Sequence, residues 1–233
     1  MVQTVPVSLL RPRAAIDGCC VGALLLLTLA WDATGLDLAL AHVYGSAQGF
    51  ALKNHSMLQF WFHSVAQNTA RLIFGVCVLM IWFPLGVFKQ VPRADRVHCV
   101  LATVVASLSV VLLKHVSLSS CPWSLAQFGG VAAYVSHWQW GVADGGGGRC
   151  FPGGHASAGF AFLAGSVWLR AASLRKAHAV AGVAIAVGLV LGWVQQMRGA
   201  HFLSHTLWAW FVCAAIGAAY YHGVQCWRGR QNA

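Results

Sequence analysis

The chain has 233 residues, 58% of them hydrophobic and only 9% charged, where soluble domains carry roughly 25% charged residues. Fifteen Lys or Arg face five Asp and no Glu, a net charge of +10. These figures exclude a disordered chain, argue against a soluble enzyme, and leave room for six membrane-crossing helices of about 20 residues each.

In chain order, the first apolar run covers residues 18–31, behind Arg11 and Arg13. Thr28-Leu29-Ala30 is a poor cleavage signal and Trp31-Asp32 follows at once, so the run reads as a retained signal anchor. Residues 32–70 form a polar-aromatic connection, expected to lie along the interface as a helix. Its Phe60-Trp61-Phe62 cluster suits either the headgroup level or plain packing. Charge-free runs then span residues 72–88, 97–113 and 177–197, with a further run from His155 to Arg170 and another between Arg198 and Arg228. The predicted fold is all-α: a polytopic integral membrane protein, one membrane domain over 1–233, with six transmembrane helices in a bundle. Close helix packing is expected where small residues recur, as in 177–192.

The basic residues alternate between loops. Arg11, Arg13, Lys89, Arg93, Arg96, Arg170, Arg175, Lys176, Arg228 and Arg230 share one side, against Lys53, Arg71, Lys114, Arg149 and Arg198 on the other. The positive-inside rule then puts the first set and both termini in the cytoplasm. No basic face interleaved with aromatics appears, which argues against nucleic acid as a partner. The eight cysteines lack the CxxC spacing of a zinc ribbon or thioredoxin. The glycine run 145–148 lacks the ending of a phosphate-binding P-loop and reads as a connector.

Three segments on the outer side carry chemistry. Lys114 ends the third span and is followed by Cys121-Pro122-Trp123. Phe151-Pro152-Gly153-Gly154-His155 opens the fourth. Gln195-Gln196-Met197-Arg198-Gly199-Ala200-His201-Phe202-Leu203-Ser204-His205 joins the last two. Lys114 and Arg198 are fixed cations able to bind phosphate oxygens. Gly153 and Gly154 precede a helix start, where bare N–H groups favour an anion. His155 and His201 are suited to proton transfer or nucleophilic attack. Together these parts would make a phosphoryl-transfer site, working by positioning and charge neutralisation. His201 and His205, four apart on one helical face, could also bind metal, although no Glu lies nearby to complete a zinc-protease motif.

From Lys114 to His205 the chain resembles the type 2 phosphatidic acid phosphatase family, which includes lipid phosphate phosphatases and vanadium haloperoxidases. That family's pattern is K-x6-R-P, then P-S-G-H, then S-R-x5-H-x3-D. The resemblance implies that His201 attacks phosphorus and carries a phosphohistidine. His155 would protonate the leaving group and later activate water, while Lys114 and the Gly153 and Gly154 amides hold the phosphoryl oxygens. It implies no metal and no other cofactor, and a motif-bearing phosphatase core over about 97–222.

The pattern is departed from at four positions. Cys121 and Gln195 stand at the motif arginines, Gly153 at the serine and His205 at the aspartate. As a neutral imidazole, His205 can still accept the His201 ring N–H. Arg198 and Arg149 are the candidates to compensate for the missing arginines, and their loss makes a vanadate-binding haloperoxidase improbable. Asp144 could orient a histidine or serve as a loop acid. Cys121 and Cys150 share the outer loop, as a disulfide closing it or as two free thiols.

The expected function is hydrolysis of a lipid phosphomonoester or diphosphate at the extracytoplasmic face, with a bacterial inner membrane as the natural setting. The expected partner is the substrate itself: a lipid phosphate, polyprenyl diphosphate, phosphatidylglycerophosphate or lipid A phosphate. Two alternatives stand beside it, a lipid phosphotransferase using the same phosphohistidine and a catalytically impaired lipid-phosphate-binding protein.

Overall fold

The computed structural model describes residues 7–231, with side chains from Arg13 onward; the side chain of Arg11, counted above for orientation, lies outside the described residues. Helix α1 (Val7–Thr34) is followed by the short α2 (Asp37–His42) and a two-residue antiparallel hairpin, β1 (Gly45–Ser46) and β2 (Gly49–Phe50). An unbroken helical arm comes next: α3 (Ser56–Gln59), a π-helical turn (Phe60–Val65) and α4 (Ala66–Leu79). The remaining long elements are α5 (Arg93–Val116), α6 (Gly154–Ser166), α7 (Leu174–Met197) and α8 (Leu203–Gln231).

The described residues are mostly helical, with little strand. The stretch Arg13–Thr34 and helices α5, α7 and α8 are long and apolar enough to cross a membrane. Helices α4 and α6 hold 14 and 13 residues, short of the roughly 20 that hydrocarbon requires. Each is extended, α4 by the π turn and α3 before it, α6 by a 3-10 turn (Val167–Leu169).

The arm differs from its expected bounds. The apolar run 72–88 suggests a helix there, but the helix ends at Leu79 and begins at Ser56. Pro84 lies just beyond the end, with no N–H to donate and a ring that crowds the preceding backbone. Residues 56–70, expected as part of a connection, are therefore the first half of this element.

Helix α6 is the axis of the bundle. Ala156, Ser157, Gly159, Phe160, Ala161, Ala164, Gly165 and Ser166 are buried on it, and α5, α7 and α8 pack round it. Small residues permit this closeness. A Cβ added at Gly159 would fall 2.5 Å from the Gly188 nitrogen of α7, and one at Gly217 of α8 would fall 2.6 Å from the Ala164 Cα. Phe160, Trp168, Val110, Cys213 and Tyr221 complete the buried core. Large apolar residues such as Leu26, Leu72, Leu112 and Val183 remain exposed on the outer faces, as surfaces turned to lipid require.

The arm, by contrast, buries no residue. An apolar cavity of about 750 Å³ separates it from α5, α6 and α7, lined by Trp61, Val65, Val76, Met80, Phe162 and Val187 among others.

The two ends of the bundle differ in charge chemistry. At one end Asp17 accepts from Arg170 at 2.6 Å and pairs with His222 at 2.9 Å, while Asp95 accepts from Arg228 at 2.6 Å. The other end holds the motif residues.

Candidate active site

Alternating helix directions bring four helix ends together: the end of α5, the start of α6, the end of α7 and the start of α8. Lys114 is in the last turn of α5. Its ammonium reaches the first residue of α6, so that a Cβ on Gly154 would stand 3.5 Å from Nζ. His155 occupies the next position. Between α7 and α8 the chain turns at Gly199, whose φ of +72° suits glycine and where a Cβ would collide with Phe50 at 2.3 Å. That turn delivers His201 beside α6. The rings of His155 and His201 stand 5.8 Å apart, centre to centre.

His201 is 3% exposed. Its Nδ1 lies 3.4 Å from Nδ1 of His205 and 3.6 Å from the Cys150 sulfur, and its Nε2 hydrogen-bonds to none of the described residues. Burial, then the charges of His205, Lys114 and His155, hold its imidazole well below the usual histidine range. The ring is neutral and nucleophilic at pH 7. The unfolded imidazole titrates near ~6.5, so below that pH the unfolded chain binds the extra proton. The His201 contribution is complete above about pH 6.5 and is lost as pH falls toward the lower folded value. Thermal melts between pH 7.5 and 5.5 should fall in wild type and fall less steeply in His201→Asn.

Cys121 and Cys150 form a disulfide. The bridge joins the loop after α5 to the loop before α6, with the Cys150 sulfur also 2.9 Å from the Ala200 carbonyl oxygen. Cys150, His201 and His205 bring their donor atoms within 4.8 Å of one another. The bridged sulfur is no thiolate, so two imidazoles remain, too few for a structural or catalytic zinc site.

Arg198 caps the end of α7. Its Nη1 donates to Gln195 Oε1 at 3.1 Å, and Nε and Nη2 donate to the Lys53 carbonyl at 3.3 and 3.0 Å. The side chain at the motif's arginine position thus grips the guanidinium from three residues on. Both Arg198 and Lys114 act electrostatically on His155. Arg149 is instead exposed on a positive-φ backbone (57°), and its guanidinium hydrogen-bonds to none of the described residues.

Of the two expected phosphate-binding amides, Gly153 N–H is already committed, donating to the His205 carbonyl at 2.8 Å. A Cβ at Gly153 would press on that carbonyl at 3.1 Å, which is why the position suits glycine here. The amides left for an anion begin at Gly154, at the unpaired start of α6.

The five aspartates all serve elsewhere. Asp144 accepts from Ser120 and Gly146 and organises the outer loop, so it orients no histidine. Asp37 accepts from the Ser204 amide (3.2 Å) and hydroxyl and from Trp31, tying α2 to the first turn of α8. Asp32 accepts from Trp138 and Trp208 and pairs with His137, whose ring stands 6.4 Å from that of His205.

Sequence reasoning missed two neighbouring histidines: His137, behind His205, and His63 of the π turn, whose Nδ1 lies 3.1 Å from Nε2 of His155. No local pattern marked either. His63 sits in an aromatic cluster 92 residues before its partner.

Histidines, cations and helix-start amides thus converge at this end of the bundle, a set able to neutralise phosphoryl oxygens. No curated protein and no solved structure gives a significant match to this chain. The family model described as the PAP2 superfamily matches residues 96–228, more than half of the chain and all three motifs, and the protein belongs to that superfamily of phosphatases.

Proposed function

We propose that this protein is a membrane-embedded, metal-independent phosphatase that hydrolyses a lipid phosphomonoester or diphosphate through a phosphohistidine. One observation carries the reading: two histidine rings 5.8 Å apart beside a lysine ammonium at a bare helix start. His201 Nε2 attacks phosphorus and the bond to the leaving oxygen breaks, with His155 supplying the proton. Water, giving its proton to His155, then displaces His201 and releases phosphate. Lys114, Arg198 and the α6 amides neutralise the oxygens that gain charge. His205 holds the His201 tautomer through Nδ1.

The lipid part of the reading rests on the cavity between the arm and α5–α7. Its Trp61 and Val65 flank His63 along the arm, and its walls are apolar down to Met80 and Phe88, a fit for a hydrocarbon tail. In this reading the arm and α6 with its 3-10 extension supply the remaining two of six crossings. The disulfide requires an oxidising compartment and the opposite end gathers the basic residues. The site accordingly opens outward, to the periplasm of a bacterial inner membrane, and the termini are cytoplasmic.

Full-length protein in nanodiscs is the test, with phosphate release measured from phosphatidic acid, phosphatidylglycerophosphate, a polyprenyl diphosphate and a lipid A phosphate. Release from at least one, unchanged by chelator, is expected. No release from any, or release abolished by chelator, would overturn the reading. Arg198→Ala should lower kcat/KM by about 10²-fold, the scale of one lost transition-state donor. Arg149→Ala, at the exposed rim, should leave the same ratio within about twofold.

A further inference from the structure

We propose that His63 is a positioning residue for His155, holding the proton-transferring imidazole in one tautomer by accepting its Nε2–H. The inference rests on the phosphatase reading above. Its basis is geometric. His63 Nδ1 lies 3.1 Å from His155 Nε2, and the rings meet edge to face at 4.8 Å and 61°. Among the described residues this is the one side-chain hydrogen bond between residues 56–79 and helices α5–α8. It arises within the single π-helical turn of the chain's described part, a local widening that re-aims side chains and recurs at functional sites. No residue of the arm is fully buried, and α4 touches α5 and α6 only lightly.

The other nitrogen of His155, Nδ1, is buried and has no partner among the described residues. An imidazole can exchange a proton through one nitrogen only if the other keeps its own. With Nε2–H donated to His63, Nδ1 is the exchanging atom. A bound phosphoryl group, negative beside His155, favours its imidazolium form. As the phosphorus–oxygen bond breaks, its electron pair stays on the leaving oxygen, which takes the Nδ1 proton. His155 is then neutral, still bonded to His63. When water attacks the phosphohistidine, Nδ1 accepts the water proton, and the phosphorus–nitrogen bond breaks with its electron pair returning to His201. His63 gains and loses nothing; it fixes which nitrogen works.

The test compares wild type, His63→Ala and His63→Asn in nanodiscs, reading leaving-group release in a single turnover. Two substrates are used: a lipid alkyl phosphate, whose alkoxide needs a proton, and nitrophenyl phosphate, whose phenolate departs without one. His63→Ala should slow release from the alkyl phosphate by about 10- to 100-fold and from the aryl phosphate by less than about threefold, following the dependence of acid catalysis on leaving-group basicity. His63→Asn, whose carboxamide oxygen can accept the same N–H, should recover most of the alkyl rate. Equal losses on both substrates, no loss on either, or an asparagine variant no better than alanine would overturn the proposal. Wild type releasing neither leaving group would instead overturn the phosphatase reading itself.

Discussion

His201→Ala is expected to abolish the phosphoenzyme and to lower lipid-phosphate turnover by about 10⁴-fold or more, as loss of a nucleophile does elsewhere. The buried ring has one nitrogen turned to His205 and Cys150, and in the proposed mechanism the other forms the bond to phosphorus. No second imidazole can substitute from its present place. His155 is committed to His63 through Nε2, and His205 is fully enclosed behind the Gly153 turn, its carbonyl bound by that residue's amide. Rapid quench with labelled substrate, followed by alkaline work-up to preserve phosphohistidine, checks the result. His205→Ala serves as the graded comparison. It removes the group that holds the tautomer but not the nucleophile, so a loss of about 10²-fold with a detectable phosphoenzyme is expected. A labelled phosphoenzyme persisting in His201→Ala would remove this residue from the mechanism.

Opening the Cys121–Cys150 bridge should damage both stability and turnover. The two cysteines are 29 residues apart in sequence, and closing a loop of that size restrains the unfolded chain by about 3.5 kcal/mol. The bridge also borders the proposed nucleophile directly, 3.6 Å from His201 Nδ1. Reductant, or the double variant Cys121→Ser with Cys150→Ser, should lower the melting temperature and cut turnover at least about tenfold. Wild type under reductant and the double variant without it should agree, because both lack the same bond. Unchanged melting and turnover in the two would show that packing alone holds the outer loop.

The replaced motif positions compensate for one another in three dimensions. Gln195 stands where the family's arginine would be, and its amide oxygen receives the guanidinium of Arg198. The register shift of three residues is nearly one helical turn, so the charge returns to the same side of the α7 terminus. Gly153 replaces a serine because its backbone lies directly against the His205 carbonyl. Arg149, named with Arg198 as a candidate to compensate, is exposed on a positive-φ backbone and hydrogen-bonds to none of the described residues.

Apolar runs and charge-free windows are local properties, and they located α5, α7 and α8 because hydrocarbon selects composition over about 20 consecutive residues. The same windows misjudged the arm, whose first half is too polar to register and whose apolar tail is cut by Pro84. The three motif segments were legible for a related reason: a helix-start glycine pair and a histidine two residues past a turn carry chemistry in their immediate neighbours. Pairings such as His63 with His155 and Asp32 with His137, at separations of 92 and 105 residues, have no such trace. They depend on which helix faces meet, and that is decided by where glycines such as Gly159 and Gly217 let backbones approach α6. From the amino-acid order came the membrane class and the catalytic vocabulary; the tertiary packing alone decided which nitrogen faces which, because hydrogen bonds act over about 3 Å and no rule along the chain resolves that distance.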